Sequence, residues 1–86
     1  MSETPEIRLK RLRLRAWRRG MRELDMLLGP FADARLAGLG PAGLDLFETL
    51  LAENDQDLLA WITGRAAPPL PLAPLVADLR TFASPA

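Results

Sequence analysis

The 86-residue chain contains no cysteine, no histidine and no tyrosine. Without cysteine it has no disulfide, no thiolate nucleophile and no Cys-based zinc or iron–sulfur site. Without histidine it lacks the usual general base and the commonest metal ligand. What remains for chemistry is a set of carboxylates and arginines with two serines, and nothing to activate a hydroxyl. The expectation is a protein that is not an enzyme and holds no metal. No apolar run approaches the roughly 20 residues of a membrane span. Glu3 and Glu6 precede a basic stretch with no apolar core behind it, which is not the pattern of a secretory signal. The arginine-rich start has some look of a mitochondrial targeting peptide, but those two acids and its direct run into Gly20 assign it to the fold. A bacterial cytoplasm is the expected location, with the mitochondrial matrix as the alternative.

Hydrophobic residues make up 49% of the chain and charged residues 26%, a globular balance rather than a disordered one. At this length a single domain with a single core is expected, with a flexible start over 1–5, a proline-rich connector over 66–73 and a frayed tail over 83–86. Formal net charge is zero, yet the distribution is lopsided. Residues 1–22 carry eight basic and two acidic groups, a net of +6; residues 23–86 carry three basic and nine acidic groups, a net of −6. Such asymmetry implies either a basic recognition face or an internal match between the two parts.

Periodicity predicts an all-α fold, a compact bundle of about five short helices with no strands. Thr4 suits the N-cap and Pro5 the first position of the first helix, with Glu6 near the positive end of its dipole. The alternation of Ile7, Leu9, Leu12 and Leu14 also fits a strand, but Leu, Arg, Lys and Ala are good helix formers. On the helical wheel Leu9, Leu12 and Ala16 lie on one side and Ile7, Leu14 and Trp17 on the other. Two apolar sides predict a helix packed between neighbours. From Met21 a stripe of Leu24, Leu28, Phe31, Leu36 and Leu39 predicts a second helix, bent or restarted at Gly29-Pro30. Gly38, Gly40, Pro41 and Gly43 read as a loop. A third helix follows from Ala42 or Leu44 to Glu53. A fourth spans Gln56 to Thr63, capped by Asn54 or Asp55 and closed by Gly64. Pro68, Pro69, Pro71 and Pro74 form a stiff extended connector to a last helix over Pro74–Phe82.

The stretch Arg18-Arg19-Gly20-Met21-Arg22-Glu23-Leu24-Asp25 organises the chain. A glycine interrupts an otherwise helical run, and the charge sign changes across it. Glycine there lets the backbone turn or lets another backbone come close. If a helix spans this stretch, Arg19 and Glu23 share a face as an ordinary i,i+4 pair. Other candidate features have plainer readings. Glu23, Asp25 and Asp33 do not form an acid–base pair, since Glu23 and Asp25 point to different sides of a helix. The basic segment with Trp17 has the footprint of a nucleic-acid surface, but a pI near 6.2 and an acidic remainder oppose it, and no recognition pattern is present. Pro68-Pro69-Leu70-Pro71 has the spacing of a polyproline ligand, with a connector as the default.

Arg19-Gly20-x-x-Glu23, followed by Leu24-Asp25 and Gly29-Pro30-Phe31, resembles the small succinate dehydrogenase assembly factors, or flavinators. Asp55-Gln56-Asp57-Leu58-x-x-Trp61-Ile62 resembles the same family's acidic-Leu-Trp stretch. The resemblance covers about Arg8 to Arg65 and leaves out the proline-rich connector and the last helix. It implies a helical protein that binds the flavoprotein subunit of succinate dehydrogenase, and in some cases of fumarate reductase. It further implies that the protein promotes covalent attachment of FAD to a histidine of that subunit. The family's Arg-Gly-x-x-Glu surface contacts the client; here that is Arg19, Gly20 and Glu23, with Arg18, Met21 and Asp25 as neighbours. FAD would be handled on the client and not bound permanently here, since covalent flavin carriers bond through His, Cys or Tyr. Arg18 and Arg19 would offer donors to the client, and Glu23 would orient Arg19 or accept from a client donor. No nucleic acid, no membrane insertion and a monomeric free state complete the expectation. The rival is a helical adaptor or nucleic-acid-binding module on the Arg8–Arg22 face.

Overall fold

The computed structural model describes residues 3–84, and within them the chain is all helix, turn and loop. Five α-helices follow in order: α1 Pro5–Trp17, α2 Arg22–Arg35, α3 Gly40–Leu51, α4 Asp55–Ile62 and α5 Ala73–Ala83. Short 3-10 turns at Leu36–Gly38 and Leu70–Leu72 join α2 to α3 and lead into α5. What the sequence suggests for the first two and last two residues lies outside the described residues.

The caps fall where the sequence places them. The Thr4 hydroxyl accepts from the Ile7 N–H at 3.2 Å, with Pro5 in the first turn of α1. The Asn54 side chain accepts from the Gln56 N–H at 2.8 Å and opens α4. Gly64 follows Thr63, the C-cap of α4.

Leu12 and Ala16 of α1, Leu24, Leu28 and Phe31 of α2, Phe47 and Leu50 of α3, Leu58 and Trp61 of α4, and Leu75 and Leu79 of α5 build one buried cluster. Phe31 lies at its centre, stacked on Phe47 at 6.1 Å and edge-on to Phe82 at 5.6 Å. This burial of apolar side chains supplies the main drive to fold.

Four expectations are corrected. The α2 helix does not restart at Gly29-Pro30 but runs through to Arg35. An interior proline is unfavourable by about 3 kcal/mol, yet Leu28, Gly29, Phe31 and Ala32 on either side of it are all buried, and that packing holds the helix together. The predicted glycine loop is shorter than expected, because α3 begins at Gly40 with Pro41 in its first turn, where a missing N–H has no helical partner to lose. The proline-rich connector is not extended throughout: Leu70–Leu72 turns, and Leu72 is buried. The first helix is packed along one apolar side, and its other side meets a neighbour at Trp17. Leu12 and Ala16 are fully buried, whereas Ile7 and Leu14 remain 56% and 53% exposed.

The charge asymmetry resolves in part as an internal match. Arg8 donates to Asp45 at 2.6 Å and to Glu48 at 3.1 Å. Arg11 donates to Glu3 at 2.7 Å and to Glu48 at 2.9 Å, and Arg15 lies 3.9 Å from Glu48. The network clamps α1 to α3. Its hydrogen bonds from Arg11 hold both Glu48 and Glu3 below the ordinary carboxylate value, against the opposing effect of burial.

Candidate functional site: the corner between the first two helices

The α1 helix stops at Trp17, and four residues carry the chain over to α2. Gly20 makes the turn with φ +93, a left-handed conformation that an L side chain adopts only at a penalty of about 1–2 kcal/mol. It is exposed, and a Cβ built on it would meet nothing within 4 Å. Packing therefore leaves room at this position while the backbone conformation selects glycine.

Arg19 braces the corner from within. Its side chain is only 12% exposed. The Nε donates to Asp55 Oδ1 at 2.7 Å, Nη1 donates to the Leu51 carbonyl, and Nη2 donates to the Glu53 carbonyl at 2.8 Å. Leu51 ends α3, so its carbonyl is one of those a helix terminus leaves without an internal partner. Asp55 opens α4. One planar guanidinium thus ties the first corner of the chain to the corner between α3 and α4. The Arg19 backbone N–H in turn donates to Asp25 Oδ1 at 2.8 Å, so the first turn of α2 holds the loop from its other end.

The site residues read from the sequence separate into two groups. Arg18, Gly20 and Glu23 are exposed. Met21 is half-buried against the core and precedes α2 without a side-chain cap. Arg19 and Asp25 are spent on the internal brace. The i,i+4 pair of Arg19 and Glu23 does not form, because α2 begins only at Arg22 and Arg19 lies outside it; Asp55 takes the guanidinium instead. Glu23 is consequently left without an arginine partner among the described residues.

Sequence reasoning missed Asp55 as the Arg19 partner. That acid reads as a cap or first-turn residue, and a pairing 36 positions away leaves no periodic signal. It also missed the seat of Trp17. The indole lies on Gly29, where an added Cβ would come within 2.2 Å of the ring, and its N–H donates to Asp33 at 3.1 Å. Gly29 is thus a site of close approach, not a break in the helix. Among the described residues no three carboxylates converge as metal ligands would.

Fold and corner together define a compact all-helical protein built around an interhelical turn that is fixed from inside and open outside. Residues 10–83 match the family described as "Flavinator of succinate dehydrogenase", and the chain belongs to that family. The match runs through α5, beyond the stretch in which the residues themselves show the resemblance. The chain is 42% identical over 71 residues to the "FAD assembly factor SdhE" of Shewanella oneidensis, covering 81% of this chain and 87% of that one. It is 40% identical over 63 residues to the protein of the same name from Legionella pneumophila, covering 73% and 80%. Identity to "Succinate dehydrogenase assembly factor 2, mitochondrial" of Mycosarcoma maydis is 42% over 64 residues, 74% of this chain but 27% of that relative. The chain therefore spans most of the bacterial relatives and about a quarter of the fungal one. No solved structure matches it.

Proposed function

We propose that this protein is an assembly factor that grips the flavoprotein subunit of succinate dehydrogenase by the corner at Gly20 and promotes covalent attachment of FAD to it. The role is chaperone-like rather than catalytic. The observation that carries the reading is the contrast at the corner: Arg19 is fixed inward by three hydrogen bonds, while Gly20 beside it is exposed with open space where a side chain would stand. A rigid, side-chain-free backbone turn is a surface against which a partner's backbone can lie closely. On its two sides Arg18 and Glu23, which make no ion pair among the described residues, offer a guanidinium to client carboxylates or carbonyls and a carboxylate to client donors.

In this reading Arg19 supports the contact surface and does not itself reach the client. The chain has no Cys, His or Tyr, the side chains through which covalent flavin carriers bond. FAD is accordingly handled on the client, and docking acts by holding the client in the conformation in which its own residue meets the flavin ring. Fumarate reductase is a second client of the same chemistry. The free protein is proposed to be a monomer of the bacterial cytoplasm. Among the described residues no helix is long and apolar enough to cross a membrane.

The test is a pull-down with this chain as bait and the purified flavoprotein subunit as prey, followed by in-gel flavin fluorescence. A defined 1:1 complex that survives moderate salt, with covalent fluorescence rising when the chain is added, supports the proposal. Absence of a complex, or steeply salt-sensitive capture of nucleic acid instead, overturns it.

A further inference from the structure

Among the described residues the outward side of α1 meets another helix at Trp17, while Ile7 and Leu14 stay exposed. Ile7, Lys10, Leu14 and Trp17 follow one another at helical spacing and form a shallow apolar trough. Ile7 is 56% exposed, Leu14 53% and Trp17 37%. From Ile7 to Trp17 the stripe is about 15 Å long at the helical rise of 1.5 Å per residue.

The cations of α1 are sorted by face. Arg8, Arg11 and Arg15 turn toward Glu48 and its neighbours. Lys10, in the stripe, and Arg13, on its flank, have no acid within salt-bridge distance among the described residues. The trough therefore has an unmatched basic rim, with the single acid Glu6 at its N-terminal end. Trp17 closes the other end as a pre-formed anchor. Its ring is seated on Gly29 and its N–H is held by Asp33, so little side-chain freedom remains to be lost on binding. Trp17 is followed by Arg18 and, three residues on, Gly20, so the trough runs directly into the corner.

We infer that this face of α1 is a second half of the client-binding surface and takes an acidic, amphipathic helical segment of the flavoprotein subunit. The inference rests on the proposed function. The segment would present apolar residues at i, i+3 or i+4 and i+7 to Ile7, Leu14 and Trp17, with Asp or Glu beside Lys10 and Arg13. Charge argues against a second copy as occupant, since pairing two such faces brings basic rims together. A lipid surface fits less well, because only three apolar side chains are offered and Glu6 lies among them.

The test measures the dissociation constant of the whole chain for the purified flavoprotein subunit by titration calorimetry. The variants are Ile7→Ser with Leu14→Ser, Arg13→Glu and Gly20→Arg, each checked for native helicity. Ile7, Leu14 and Arg13 are exposed, so these substitutions leave the fold near its native stability. The double variant is expected to weaken binding about 10- to 100-fold, and Arg13→Glu about tenfold, with a shallower salt dependence. Unchanged affinity in both variants while Gly20→Arg has lost binding overturns the inference and leaves the proposed function standing. Native affinity in Gly20→Arg as well overturns the proposed function itself. Two further results overturn the inference. One is binding of the native chain to phosphatidylglycerol-containing vesicles that the double variant loses without a change in client affinity. The other is a concentration-dependent dimer with the same dependence.

Discussion

Gly20 and Gly29 show two different reasons for a residue to have no side chain. At Gly20 the space is empty and the backbone conformation is what excludes other residues. Gly20→Asn, which tolerates the left-handed region better than most, should therefore fold with little loss, while Gly20→Ala should be destabilised by about 1 kcal/mol in urea unfolding. At Gly29 the backbone is ordinary helix and the obstacle is the Trp17 ring. Gly29→Ala gains in helix propensity but must push the indole away. The net expectation is a loss of about 1–3 kcal/mol together with a shifted Trp17 indole N–H resonance. A stabilised variant with an unmoved resonance would contradict the packing described. For Arg19 the decisive comparison is with lysine. Arg19→Lys keeps the charge but cannot serve Asp55 and the Leu51 and Glu53 carbonyls together. It should recover little of the roughly 1–3 kcal/mol lost in Arg19→Ala.

Between elements, the clamp of α1 on α3 is made of exposed and half-exposed ion pairs, which individually contribute about 0.2–1 kcal/mol. Glu48 is its hub, and its pKa lies below the ordinary value of 4.5. A carboxyl depressed in the folded state adds stability that is fully present above the unfolded pKa and is lost as pH falls through the folded one. Glu48→Gln should thus be less stable than the native protein at pH 7 by about 0.5–1 kcal/mol. The difference should shrink progressively below about pH 4.5, where the native side chain is itself protonated. Urea midpoints at pH 7, 4 and 3 measure it; a difference independent of pH would contradict the clamp.

The helices themselves were legible because their signals are local: a Thr4 cap with Pro5, an Asn54 cap, and leucines at spacings of three and four. What was not legible depends on contacts far apart in sequence. Pro30 signals a bend or a restart locally, and only the burial of its neighbours shows why the helix continues. The second apolar side of α1 reads as a core face, and only the placement of the other helices shows that Ile7 and Leu14 stay exposed. At the corner the residues were visible but their division of labour was not. Arg19 and Glu23 have the spacing of a pair, and the pair fails because the helix starts three residues after the arginine.

At the scale of the whole molecule, the fold places its two most unusual surface features side by side: an open backbone turn at Gly20 and an uncovered apolar trough on α1. Of the eight basic residues among the first 22, Arg8, Arg11, Arg15 and Arg19 are matched to acids, while Lys10, Arg13, Arg18 and Arg22 have no acid within salt-bridge distance among the described residues. A partner recognised by shape at the corner should therefore stay bound at moderate salt, unlike one held by phosphate contacts. The most direct measurement is the rate of covalent flavin incorporation into the purified flavoprotein subunit with native chain, Gly20→Arg or Glu23→Ala, each shown to be folded. The account predicts that Gly20→Arg loses at least about tenfold of the promoting effect, and that Glu23→Ala loses a smaller but measurable part. Full flavinylation with a folded Gly20→Arg protein would contradict it.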